Sequence, residues 1–187
     1  MKKSVIIVTL LLSIYSSIAA ICVDKKLYNF CKKKDFLERI KEVVEKRGGN
    51  VNYQSYEWHT PLMKAASRGD ESLVKYLLDK KANACFANRN GQTALHKAAK
   101  NGNLSTVKLL VKAHKLAVNK CDRGGNTPLH IAAEQNHEKV VKYLVRKGAS
   151  VYAKNKKGKM PENLPCKSKI AAFLKKKREQ SVSKKSK

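Results

Sequence analysis

The chain has 187 residues, with 41 Lys and Arg against 14 Asp and Glu, a formal charge of +27, and only 6% aromatic residues. That length suits one domain with tails and can bury a sizeable core; the charge implies attraction to polyanions or acidic surfaces and is silent on fold. Cys22, Cys31, Cys85, Cys121 and Cys166 are odd in number, lack CxxC spacing and are too sparse for a disulfide scaffold, so free, partly buried thiols are expected, with a Cys22–Cys31 bridge as the structured alternative.

The N-terminus reads as a targeting segment. Lys2 and Lys3 precede "SVIIVTLLLSIYSSIAAICV", uncharged until Asp24, and small residues stand at Ser17, Ala19 and Ala20. These are the parts of a secretory signal peptide over residues 1–20, cut after Ala19 or Ala20. Ile21 before Cys22 does not fit the lipoprotein pattern. An uncleaved membrane anchor to about residue 23 is the alternative, favoured by the positive charge of Lys25, Lys26 and Lys32 to Lys34, which resists translocation; a buried or interfacial helix is a third reading.

The rest of the chain repeats itself. "TPLMKAA" starts at Thr60, "TALHKAA" at Thr93 and "TPLHIAA" at Thr127, and a degraded "MPENL" starts at Met160. Between them recur "GDESLVKYLL", "GNLSTVKLLV" and "NHEKVVKYLV", each followed by a hairpin-like stretch. Upstream, "LERIKEVVEKRGGNVNYQSYEW" fits the second half of a divergent copy over 27–59, whose first half spans about Leu27 to Phe36. The boundaries are then 60–92, 93–126 and 127–159 for three full repeats, and 160–175 for a truncated C-terminal copy. Residues 176–187 form a basic tail, expected to be disordered.

The physics of one unit is readable from residues 127 to 159. Thr127 is a good N-cap and Pro128 suits the first helical position, a pair also present as Thr60 and Pro61. Leu129, Ile131 and Ala132 predict a short helix with small residues for close approach. Val140, Val141, Leu144 and Val145 give a second helix an apolar stripe, and Gly148 suits its left-handed end. Gly158 falls in the next turn, in register with Gly91 and Gly125. No single unit can bury its apolar face alone, whereas stacked units share a continuous core.

These residues closely resemble the ankyrin repeat, whose first helix opens T-P-L-H on a 33-residue period; the resemblance covers about Leu27 to Leu174. It implies an all-α solenoid of stacked helix-turn-helix units with β-hairpin-like loops. This sequence departs from the pattern in several places. Ala94 replaces the proline after Thr93, and Met63 replaces the histidine. The 93–126 copy carries one extra residue near "AHKLAV". Asn136 takes a glycine position, where Asn tolerates left-handed geometry, and Pro165 shortens the first helix of the last copy, whose "SKIAAFLKKK" supplies a capping helix.

The resemblance makes His96 and His130 structural, bridging adjacent loops. His114 and His137 have no second ligand at i+3 or i+4, so no metal site is expected, and Asp122 reads as the organiser of its turn. There is no paired-carboxylate site, G-x-S-x-G or phosphate-cradling glycine loop, so neither an enzyme, a cofactor nor a small-molecule substrate is expected. What remains is a surface. As the resemblance implies, loop tips and first-helix ends line a concave partner-binding face: Tyr56, Glu57, Trp58 and His59, then Ser67 and Arg68, then Arg89, Asn90 and Gln92. It continues through Lys100, Asn101, Arg123, Asn126, Glu134 and Gln135 to Lys156, Lys157 and Lys159. Trp58, the only tryptophan, stands where the repeat prefers glycine and reads either as an interface anchor or as a cap packed over the N-terminal copy.

Residues 154–187 hold 13 basic residues and 2 acids. The tail lacks stacking aromatics and a groove-entering element, so a solvated end is the plain reading and nonspecific polyanion contact the other. The expectation is an exported, monomeric, non-catalytic solenoid that binds a protein partner. Its rivals are a polyanion-binding protein driven by the basic C-terminal half and a membrane-anchored adaptor.

Overall fold

The computed structural model describes residues 19–31, 37–114 and 118–183. Most of the signal segment, the three residues at 115–117 around the extra residue of the 93–126 copy, and residues 184–187 lie outside them. Helices α1 (residues 19–30) and α2 (Leu37–Arg47) form the N-terminal unit. Three helix pairs follow: α3 (Pro61–Arg68) with α4 (Glu71–Asp79), α5 (Ala94–Lys100) with α6 (Leu104–Ala113), and α7 (Pro128–Glu134) with α8 (Glu138–Arg146). A 3-10 turn at Pro161–Asn163 and helix α9 (Ser168–Ser183) close the stack. No strand occurs among the described residues, so the architecture is an all-α solenoid. The first helices α3, α5 and α7 pack side by side in one layer, and the second helices α4, α6 and α8 in another.

Register explains the core. Leu62, Leu95 and Leu129 hold the same position in successive repeats and are each buried, as are the alanine pairs Ala65–Ala66, Ala98–Ala99 and Ala132–Ala133. Alanine at these contacts lets the first helices approach closely, while Leu77, Leu110 and Leu144 fill the space between layers. Each first helix begins at a threonine. Thr60 Oγ1 accepts from the Met63 N–H (3.2 Å) and Thr127 Oγ1 from the His130 N–H (3.4 Å). Second helices begin at residues that also reach back to the preceding repeat: Asn103 donates to the carbonyls of Ala66 and Ser67, and His137 Nε2 donates to the Lys100 carbonyl. Each such bond satisfies a carbonyl that a helix end leaves unpaired. The five cysteines are free; Cys22 is exposed, and burial pushes the thiol of Cys31 up to about 12.

Two elements differ from the sequence-based boundaries. The first helix of the N-terminal unit spans residues 19–30, earlier than the expected Leu27–Phe36. Val23, Leu27 and Phe30 then fall at helical spacing against the core, while residues 19–22 are exposed. At the other end, α9 continues to Ser183, so residues 176–183 are helical, not irregular. The cause is a buried carboxylate. Glu162 occupies the register position of Leu62, Leu95 and Leu129, and its side chain is only 9% exposed. Arg178 reaches it from α9 with Nε 3.0 Å from Oε1, and the Tyr152 hydroxyl donates to the Arg178 carbonyl (2.7 Å). Lys, Arg, Glu and Gln are also good helix formers. Removing Arg178 would leave Glu162 buried and uncompensated, so Arg178→Ala is expected to lower stability by about 2–3 kcal/mol. Trypsin should then cleave at Lys175–Lys177 faster than in the parent; an unchanged cleavage rate would show that the pair does not hold α9.

Candidate protein-binding surface

Four loops project from the stack, at residues 55–59, 88–92, 122–126 and 155–159. Each is closed by a backbone bond between its ends: Ser55 N to His59 O, Asn88 N to Gln92 O, Asp122 N to Asn126 O, and Asn155 N to Lys159 O, all 2.9–3.0 Å. A side-chain oxygen at the first position holds the turn from within. Asn88 Oδ1 accepts from the N–H groups of Asn90 and Gln92, Asp122 Oδ1 from those of Gly124 and Asn126, and Asn155 Oδ1 from those of Lys157 and Lys159. These are Asx turns, in which a short polar side chain stands in for backbone. Asp122 is therefore a turn organiser.

The loops are tied to one another in two ways. One is a single backbone bridge per junction: Arg89 N to Glu57 O at 3.3 Å, Arg123 N to Asn90 O at 2.9 Å, and Lys156 N to Gly124 O at 2.9 Å. The other is a histidine strut. Nδ1 of His96 accepts the Thr93 N–H (3.2 Å), so the ring proton sits on Nε2, which lies 3.1 Å from the Asn126 carbonyl. His130 does the same from Thr127 to the Lys159 carbonyl. Burial is the main cause that pushes both histidines down, His96 to about 4. A depressed imidazole pKa means that the unfolded chain binds the proton first. The struts' contribution is therefore fully present above about pH 6.5 and is lost as pH falls from there toward 4. Urea midpoints should fall over that window. His96→Gln should flatten the decline at some cost in stability at pH 7; an identical pH slope in that variant would rule out His96 as its source.

The first junction departs from the others. Met63 holds the histidine position and is buried without a polar hydrogen to offer, so no strut from the first helix reaches the Gln92 carbonyl, and the side-chain link at this junction is His59 to Asn88 instead. Trp58 stands in register with Gly91, Gly125 and Gly158, and like them has positive φ (60°, against 75°, 77° and 70°). A Cβ at Gly91 would lie 2.8 Å from Arg123 N and one at Gly125 2.8 Å from Lys156 N. Trp58 does carry a Cβ, and its junction is the one whose bridge is stretched to 3.3 Å. Left-handed geometry costs a residue with a side chain about 1–2 kcal/mol. The tryptophan is nonetheless half-exposed (50%), and Tyr56 beside it is 81% exposed. The Arg89 guanidinium lies over the Tyr56 ring, 4.1 Å from its centre. Tyr56, Glu57, His59, Asn88, Arg89 and Asn90 line a cleft of about 200 Å³.

The candidate residues sort by position. Tyr56, Trp58, Arg89, Asn90, Arg123, Lys156 and Lys157 crown the loop tips and are exposed; Lys100, Glu134 and Gln135 are exposed at first-helix ends. Lys156, Lys157 and Lys159 share a cleft of about 350 Å³ with Glu134, Asn126, Leu164 and Pro165. Others are engaged within the chain. Arg68 Nη1 donates to the Cys31 carbonyl (2.7 Å) and Nη2 to Asp70 (2.8 Å). The Asn101 amide donates to the Ser67 carbonyl, Lys97 donates to Gln92, and the Asn155 amide donates to Asn126. His59 Nε2 pairs with the Asn88 amide at 3.0 Å, and burial, then Lys64 and Lys97, hold its pKa down. The links to Cys31, Ser67, Asn126 and Asn88 join residues 29 to 37 apart in sequence, and residue type alone does not reveal them.

No group of three or more His, Cys, Asp or Glu side chains able to hold a metal ion occurs among the described residues. The arrangement is instead a row of bridged loops bearing an aromatic–arginine stack at one end and a lysine cluster at the other. Comparison with known families agrees: the family model described as ankyrin repeats in three copies matches residues 7–115 and 62–155. The chain belongs to the ankyrin-repeat family, and its repeats make it a protein–protein interaction module.

Proposed function

We propose that this module is exported and non-catalytic, and that its partner is gripped at the loop tips, with Tyr56, Trp58 and Arg89 as anchors. The observation that carries the reading is Trp58: an exposed tryptophan kept in a backbone conformation that favours glycine. Strain of this kind persists where the surrounding structure enforces it, and it concentrates at functional positions. Trp, Tyr and Arg are the side chains most often found at the energetic centre of interfaces. Arg123, Lys156, Lys157 and Lys159 extend the surface with positive charge, broken on this side by Glu57 and Glu134, which suits a partner with carboxylates facing that end.

Export rests on residues 1–20. Residues 19–22 are exposed, and among the described residues the first fully buried side chain is Leu27, so a cut after Ala19 or Ala20 removes nothing from the described core. No helix among the described residues is long and apolar enough to cross a membrane. The binding reading is tested by capture with the parent and with Tyr56→Ala, a change at an exposed side chain that leaves the fold intact. A discrete protein retained by the parent at about 200 mM salt, where weak charge contacts fade, and lost by the variant is expected. Equal retention by both would remove Tyr56 from the site. N-terminal sequencing of the extracellular product tests export; a product starting at Met1, or none outside the cell, would refute it.

A further inference from the structure

The opposite face of the solenoid carries a second feature. A groove of about 740 Å³ runs between α6 and α8 in the second-helix layer, lined by Lys108, Lys112, Tyr143, Arg146 and Lys147. Some other cations of this layer are matched by acids: Lys80 lies 3.0 Å from Glu45, and Lys142 shares Glu138 with Lys169 of α9. The four groove cations make no ion pair among the described residues. Basic residues in a helix's last turn offset the macrodipole, which accounts for Lys112 and Arg146. It accounts for Lys147 too, the C-cap of α8, but not for Lys108, a turn earlier on α6. From Lys100 onward the chain has 23 basic and 5 acidic residues, so the groove lies in a strongly positive field that neighbouring carboxylates do not cancel.

We propose that this groove binds a single extended sulfated polysaccharide chain, at a site separate from the loop tips. Charge complementarity calls for a polyanion, and the lining selects among polyanions. Neighbouring helices pack about 8–10 Å apart, so the groove takes one chain and is too narrow for a nucleic-acid duplex. Single-stranded nucleic acid needs aromatic faces for its bases, and the one aromatic here, Tyr143, has the Lys147 ammonium over its ring at 5.7 Å. A membrane surface is gripped by apolar side chains beside the cations, and none of the exposed large apolar residues, Ile21, Tyr56, Trp58 and Tyr152, lines the groove. Lysines spaced along two helices match sulfates that repeat along a saccharide and need no stacking.

The test is calorimetric titration of the full chain with a heparin octasaccharide at about 50 and about 200 mM salt. Binding that weakens steeply with salt is expected. Lys108→Ala/Lys112→Ala/Lys147→Ala should lose about tenfold or more in affinity. Lys156→Ala/Lys157→Ala/Lys159→Ala, which removes the same charge at the loop tips, should lose less than about threefold. Equal losses in the two triples would show diffuse attraction and overturn the groove, as would absence of binding at low salt or tighter binding of single- or double-stranded DNA. Lysine acetylation of the parent with and without heparin gives a second reading that needs no variant: Lys108, Lys112 and Lys147 should be protected more than Lys156 and Lys157, and the reverse order refutes the site.

Discussion

Replacing Gly125 with alanine is expected to destabilise the protein by about 3 kcal/mol, whereas the same change at Gly158 should cost only about 1 kcal/mol. Both glycines have positive φ, 77° and 70°, so both substitutions meet the left-handed penalty of about 1–2 kcal/mol, partly offset by the stiffer unfolded chain. The difference lies in what the new methyl group meets. At Gly158 nothing stands within 4 Å; at Gly125 it would press on Lys156 N at 2.8 Å and on Asn155 Cα at 3.1 Å. Backbone cannot rotate aside as a side chain can. The loops must part, and the bridge from Lys156 N to Gly124 O is lost with them, worth a further ~1 kcal/mol. Chemical denaturation of the two variants checks this, and equal losses would mean that the loops are not coupled at that junction.

Replacing Trp58 with glycine should have opposite effects on the two properties of the molecule. Relief of the left-handed penalty, less the extra freedom that glycine gives the unfolded chain, should raise stability by about 0.5–1 kcal/mol. Loss of the aromatic anchor should weaken partner binding by about 2 kcal/mol or more, roughly thirtyfold. Trp58→Asn separates the causes, because Asn tolerates the backbone geometry without supplying a ring; it should bind as poorly as the glycine variant. If Trp58→Gly instead lowers stability by more than about 1 kcal/mol, the ring is a packing cap, and the anchor belongs elsewhere on the tips.

The repeated elements were legible because each is set by local chemistry. Thr-Pro at a helix start, alanine pairs on the first helices and leucines of the second all follow from periods short enough to read along the chain. The register also marked Trp58 as standing in a glycine place. What it did not give was the left-handed backbone there or the stretched bridge beside it, which depend on the neighbouring loop. The length of α9 was missed for a related reason. A lysine-rich stretch reads as solvated tail, and only the position of Glu162 in a leucine slot shows why Arg178 must be held in place. Arg68 reaches inward to a carbonyl 37 residues away, and Asn101, though exposed, ties back to a carbonyl 34 residues away. The groove between α6 and α8 was invisible to a pattern search, since its lining comes from two helices brought together only by stacking.

The missing strut at Met63 has a mechanical consequence. In a one-dimensional stack, stability is shared between units and the couplings that join them. Here the couplings are unequal: two junctions carry a buried histidine strut and a 2.9 Å bridge, while the first has a bridge stretched to 3.3 Å and only the half-buried His59–Asn88 link. The joint nearest the tryptophan is therefore the compliant one, the place where the stack can flex without breaking. A partner seated across Tyr56 and Arg89 spans that joint and acts as the missing splint. On the proposed reading, binding there would stiffen the stack at its most compliant joint.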